Sequence, residues 1–207
     1  MKTISNFLIL LVLVTLVWSC GNSNRKLPYI GQHDVNEKGD SVYHAIPDFK
    51  FVNQDGDTLT QDHFKNKVYV TDFFFTSCPT ICPVMKTQML RVFDKFKDNP
   101  EFGILSHTID PRHDSVSVLK AYKHKLGIDS KQWQFVTGEQ DKIYEIAQKS
   151  YMVSAMEDKE AVDDGGFVHS GAFVLVDKNR NIRGVYDGTK EKEVNRLIKD
   201  IELLLQK

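Results

Sequence analysis

Two cysteines carry the most specific chemistry in this sequence. In FFFTSCPTICPVMKTQM, residues 73–89, Cys78 and Cys82 have three residues between them, and each is followed by proline. Paired thiols suit disulfide exchange or a soft metal, because the thiolate is both the nucleophile and the ligand. Thr80 is suited to cap a following helix, which puts Cys82 in its first turn. Pro83 is tolerated there because early helical N–H groups have no intrahelical partner. Residues four apart share a helical face, and a helix N-terminus favours negative charge, so thiolates are expected to form readily here. A plain structural disulfide is the competing reading. Closing so short a loop constrains the unfolded chain little, which weighs against it.

The elements around this pair follow from periodicity. KVYVTDFFF is β-branched and aromatic, as a buried strand is, and it leads directly into the cysteines. Behind them, Val84, Met85, Met89, Val92, Phe93 and Phe96 recur at helical spacing. EFGILSHTID reads as a second strand. DSVSVLKAYKHKLG reads as a second helix, with Asp114 as N-cap and Gly127 at its end. WQFVTG is a short strand and EQDKIYEIAQKSYM a third helix. SGAFVLVDKNRNIRGVYDG is a hairpin, and TKEKEVNRLIKDIELLLQK a closing amphipathic helix. Ahead of all these, Asp55-Gly56 marks a β-hairpin and TQDHFKN a short helical piece.

The N-terminus reads as an address. Lys2 precedes an uncharged apolar run from Phe7 to Trp18, too short to span a bilayer comfortably. It stops at Ser19-Cys20-Gly21, which resembles a bacterial lipobox whose cysteine is lipidated, although Trp18 is bulkier than usual. An uncleaved anchor with an incidental cysteine is the alternative. The expected division is a signal peptide over 1–19, lipidated Cys20 and a polar tether over 20–42, and one domain over 43–207. That makes an extracytoplasmic, membrane-anchored lipoprotein facing the periplasm. With lipid on Cys20, Cys78 and Cys82 are left as a self-contained pair among three cysteines. A net charge of −1 over 207 residues implies no large basic surface and no nucleic-acid partner.

Early crossovers with a late hairpin give a mixed sheet flanked by helices, with an N-terminal β-hairpin extension. A cysteine pair at the end of the first core strand makes this α/β fold resemble the thioredoxin superfamily. Two features depart from a thioredoxin-type oxidoreductase. The spacing has three intervening residues instead of two. All six prolines lie at or before Pro111, so no cis-proline precedes the late strand, and His169 stands where it is expected. Two thiolates and an imidazole suit Cu(I), Cu(II) or Zn(II), and three protein ligands leave a site open. For His169 alone, a hydrogen-bonded histidine at a strand start is the ordinary explanation.

At this point the sequence resembles the Sco/SenC family of copper-binding, thioredoxin-like assembly factors for cytochrome c oxidase, from about Ile46 onward. FFFTSCPTICPVM is similar to its strand-loop-CxxxCP segment, SHTIDPRHDSVSVLKAYKHKLG to its S-x-x-x-DP-x-x-D stretch, WQFVTG to a shared strand, and HSGAFVLVDKNRNIRGVY to the segment opening with the metal-binding histidine. The resemblance implies copper held by Cys78, Cys82 and His169, and delivered to the dinuclear copper site of oxidase subunit II. A thiol reductant or copper-donor protein is a further implied partner. An alternative is a thiol-disulfide oxidoreductase, with Cys78 and Cys82 as a redox disulfide, that keeps a partner's copper-ligand cysteines reduced. A third is a copper or redox sensor. Where the family often has aspartate before the histidine, this chain has Val168.

Other residues have plainer readings. Asp110 and Asp114 are expected at a strand end and a helix cap, with partner docking second. Met85 and Met89 are expected in the core. His107 and His113 are candidates to rim the site, while His33, His44, His63 and His124 are scattered. MEDKEAVDDGG is expected as an acidic, solvated loop before His169.

Overall fold

The structure is a computed structural model that describes residues 25–158 and 166–206, with the backbone alone at position 169. The signal segment, Cys20 and most of the acidic loop lie outside the described residues.

Strand β5 (Val68–Phe74) is buried at every position, as a strand covered on both faces must be. It pairs in parallel with β6 (Phe102–Thr108), and β6 in parallel with β7 (Trp133–Thr137). The hairpin of β10 (Ala172–Val176) and β11 (Ile182–Asp187) adds antiparallel to β5. The hairpin of β3 (Lys50–Asn53) and β4 (Thr58–Thr60), turning at Gly56 (φ 85°), adds antiparallel to β7. The order is β11-β10-β5-β6-β7-β3-β4. This is a thioredoxin-like mixed sheet in which the expected hairpin extension continues the main sheet.

Helix α1 (Ile81–Phe96) buries Met85, Met89, Val92, Phe93 and Phe96 as its spacing predicts. Val84, counted with that stripe, faces solvent, and Lys86 is buried instead. Helices α2 (Val116–Lys125) and α4 (Glu191–Leu205) share α1's side of the sheet. Tyr122 stacks on Phe74, and Arg91 of α1 reaches Asn195 of α4. The opposite face is covered by Phe49, Phe51, Phe64 and Tyr151. Tyr151 follows α3 (Gln140–Glu145) and its direct continuation as a π-helix over Ile146–Ser150, so the third helix covers most of its expected span with a change of winding half-way. Asp114 does not cap α2. Ser115 does, its hydroxyl accepting from the Val118 N–H.

Part of the expected tether is folded onto the domain. Strands β1 (His33–Val35) and β2 (Ser41–Tyr43) form a hairpin closed by Asn36, whose side-chain oxygen accepts from Lys38 N and Asp40 N. Before it, Leu27 is buried and Ile30 bridges to Ile182. Arg183 secures this stretch by donating to the Leu27 and Pro28 carbonyls while pairing with buried Asp177 at 2.8 Å. Breaking a buried pair on one side costs about 3–5 kcal/mol. Arg183→Met is therefore expected to lower urea stability by that order and to speed hydrogen exchange at the Ile30 amide. Unchanged exchange at Ile30 would show that the segment is held by other contacts.

Candidate metal centre

Six residues, Phe75 to Thr80, carry the chain from β5 into α1. Cys78 sits inside this turn, its N–H donating to the Phe75 carbonyl at 3.3 Å, and Cys82 lies in the first turn of α1. Both are reduced and buried, at 7% and 2% exposure, yet both line a cleft of about 350 Å³ with Thr76, Lys86, Tyr122 and Lys125. The cysteines thus belong to the buried cluster and at the same time line an opening.

Thr80 leaves the helix N-terminus without a side-chain cap. Its hydroxyl instead approaches the Cys78 sulfur at 3.7 Å. The helix N-terminus does not make Cys82 an easy thiolate either. Its hydrogen bond with Cys78, and then burial, push its pKa far above that of an ordinary thiol. Two adjacent, largely buried sulfurs resist carrying charge together, and this outweighs the helix-end field.

The turn is fixed by a residue whose part the sequence did not reveal. The buried Asp114 carboxylate accepts from Thr76 N at 3.0 Å, from the Thr76 and Thr108 hydroxyls at 2.5 Å each, and lies 3.1 Å from His113 Nδ1. It joins the end of β5, the end of β6 and the entry to α2. The S-x-x-x-DP-x-x-D pattern was the available signal, but only the fold shows that its last acid grips the residue two before Cys78. Asp110 is part of the same turn, its carbonyl accepting from His113 N and Asp114 N.

Beneath the cleft lies a buried ion pair. Lys86 Nζ is 2.6 Å from Asp72 Oδ2 and 4.0 Å from the centroid of the Phe74 ring. Ser106 donates to the other Asp72 oxygen and accepts from Trp133 Nε1 at 2.9 Å.

The segment carrying His169 is held beside the cysteine turn on both sides. Strand β9 (Phe167–His169) pairs antiparallel with β8 (Ala155–Glu157), with His169 opposite fully buried Ala155. Two residues before position 169, Phe167 packs on Phe75 with ring centroids 4.8 Å apart. Two residues beyond, a Cβ placed on Gly171 would lie 3.8 Å from the Ile81 side chain. Arg112 pairs with Glu157 and so ties the Asp114 turn to β8. The backbone at 169 therefore passes between contacts to Phe75, three residues before Cys78, and to Ile81, directly before Cys82. Val168 and Met156, directly opposite each other, are exposed. Among the described side chains no group of three His, Cys, Asp or Glu converges on a metal-sized point.

The two rim candidates separate. His113 is exposed and abuts the site through Asp114. His107 lies on the opposite face of the sheet, stacked on Phe73 with Phe49, Phe51 and Tyr151 around it, and burial lowers its pKa to about 3. Strand alternation decides this, since Asp72 and Phe74 face the cysteine helix and Phe73 and its partner His107 do not. Met85 and Met89 are core residues, as expected.

The model of the SCO1/SenC family matches residues 37–206. The chain belongs to the SCO1/SenC family. The SCO1 protein homolog of Bacillus subtilis (strain 168) is 30% identical to this SCO1/SenC chain over 165 residues, covering 79% of this chain and 84% of the relative. A SCO1/SenC lipoprotein from Bacillus anthracis str. Ames superposes with TM-score 0.71 at 27% identity, covering 78% of this chain and 95% of that one. BsSco, described as a member of the Sco family of cytochrome c oxidase assembly proteins with a disulfide switch, superposes with TM-score 0.67 at 29% identity, covering 78% and 93%.

Asp114→Ala removes the acceptor from one buried donor, the Thr108 hydroxyl, and two half-buried ones on Thr76, the buried donor alone costing roughly 1–3 kcal/mol when left unmade. The variant is expected to lose about 3 kcal/mol or more and to alkylate faster at Cys78. Equal alkylation rates in a folded variant would remove Asp114 as the anchor of the turn. A second expectation concerns pH. The raised Cys82 pKa adds stability that is complete below the unfolded thiol value of about 8.5 and is lost as pH rises above it. Thermal midpoints of the reduced SCO1/SenC protein should fall between about pH 8 and 10, and Cys82→Ala should flatten that fall. A parallel slope in the variant would assign the effect elsewhere.

Proposed function

We propose that this protein is a membrane-tethered, extracytoplasmic copper chaperone. It holds copper through Cys78, Cys82 and His169 and delivers it to the dinuclear copper site of cytochrome c oxidase subunit II. The observation that carries the reading is the pair of reduced cysteines lining a cleft, beside the backbone segment that bears His169. The donor types fit a soft metal, and three ligands leave a coordination position for an incoming partner thiolate. Family membership supports copper as cargo and an oxidase as destination, in line with the assembly role printed for BsSco. The sequence reading of Cys20 as a lipidated cysteine supports the address, as does the lipoprotein relative from Bacillus anthracis.

The chemistry is ligand exchange. Loading displaces the protons of Cys78 and Cys82, and the metal charge offsets what otherwise raises the Cys82 pKa. Unloading reverses this as partner thiolates replace the protein's ligands one at a time, so no step requires an oxidant.

A second reading keeps the same sulfurs as a redox couple. Their proximity and the disulfide switch named for BsSco favour it. As an oxidoreductase the protein would reduce a partner's disulfide while Cys78 and Cys82 oxidise to their own, two electrons and two protons passing across.

Copper titration of the reduced protein is expected to give one ion per chain, with the signal abolished in Cys78→Ser and Cys82→Ser. His169→Ala is expected to change the spectrum and to weaken binding by more than the roughly 10- to 100-fold that loss of a ligand's hydrogen-bonding partner costs. An unchanged spectrum and affinity in His169→Ala would remove that residue from the ligand set. Turnover on an oxidised partner peptide without copper affinity would establish the redox reading instead.

A further inference from the structure

We propose that Lys86 is the fixed counter-charge of the copper complex and biases it toward Cu(I). The inference rests on the copper reading above and extends it to the metal's oxidation state.

A lysine in the buried stripe of an amphipathic helix is costly unless its charge is used, because removing an ammonium from water is heavily penalised. Lys86 follows Cys82 by one helical turn, and its side chain is only 3% exposed. It lines the same cleft as Cys78 and Cys82. Its ammonium is held from behind by Asp72 at 2.6 Å and by Ser106 at 3.3 Å. Asp72 does not line the cleft, and its second oxygen is taken by the Ser106 hydroxyl, which Trp133 in turn holds in place. The pair is therefore a fixed dipole whose cationic residue, and not its anionic one, lines the cleft that both cysteines line. Of the other charges nearby, Lys125 is exposed, and the Asp114 carboxylate keeps its negative charge in every variant compared below, so it adds a constant background.

Charge counting gives the consequence. Two thiolates and a neutral imidazole leave a Cu(I) complex with net charge −1 and a Cu(II) complex with net charge 0. A buried cation beside the site is poorly screened and lowers the energy of the anionic complex only. Reduction of bound Cu(II) to Cu(I) adds one electron at the metal with no change of ligand, so the Cu(II)/Cu(I) potential reads this bias directly. A lysine serving only to hold the fold would alter stability, and the affinity for both oxidation states alike, and leave the potential in place.

The test loads the full-length chain in detergent with copper and measures that potential for the parent and for Lys86→Met, Lys86→Arg and Lys86→Met/Asp72→Asn. The Met variant is expected to shift the Cu(I) to Cu(II) affinity ratio at least tenfold toward Cu(II), a drop of about 59 mV for one electron. Arginine should retain the parent value. The double variant leaves no lone buried charge, so it carries the test if Lys86→Met fails to fold, and it should move the potential in the same direction. A folded Met or double variant whose potential is unchanged or higher overturns the role of Lys86 while leaving the copper reading intact. A parent that binds no copper overturns both.

Discussion

The buried carboxylate of Asp114 is the contact on which the site depends. A strand running into a helix must reverse direction within a few residues, and that turn has exposed backbone donors of its own. Here Thr76 gives both its N–H and its hydroxyl to one acid, which also takes the Thr108 hydroxyl from the neighbouring strand. Charge-assisted bonds of this kind are stronger than neutral ones and are directional. They set where the chain leaves β5, and so where Cys78 stands relative to α1. Through Arg112 and Glu157 the same turn reaches β8, which pairs with the strand bearing His169. Four segments distant in sequence thus meet around the cysteines.

The electrostatics of the pair follow from that confinement. The hydrogen bond from the neighbouring sulfur, and then burial, raise the Cys82 pKa against the field of the helix end. A cation bound by both sulfurs would remove this penalty. The cleft that both cysteines line is shared with Tyr122 and the exposed Lys125. These traits suit transient custody of a metal better than a closed structural site.

Much of this was legible in the residue pattern, for local reasons. The β-branched and aromatic run before the cysteines could only be a covered strand. Gly56 and Gly127, each with positive φ, ended elements where turn chemistry placed them. The elements that misread were those where tertiary context overrode local preference. Thr80 had the chemistry of a cap but turns to the Cys78 sulfur. Ser115 took the cap assigned to Asp114 because Asp114 was drawn into the core. The polar stretch before residue 43 folds back because Arg183, far along the chain, offers donors to its carbonyls.

The sequence by itself determined the two thiols, their spacing, the strand that leads to them, the histidine that stands where a proline would, and through these the family. Those are properties of residue type and periodicity, which need no knowledge of what lies across the sheet. Only the tertiary structure decided that Lys86 is buried against Asp72, that His107 faces away while His113 abuts the cysteine turn, and that Phe167 and Gly171 bring the late strand alongside Phe75 and Ile81. Each of these depends on strand register and on which face a residue takes. Register is settled by contacts between segments dozens of residues apart, and local patterns do not encode them.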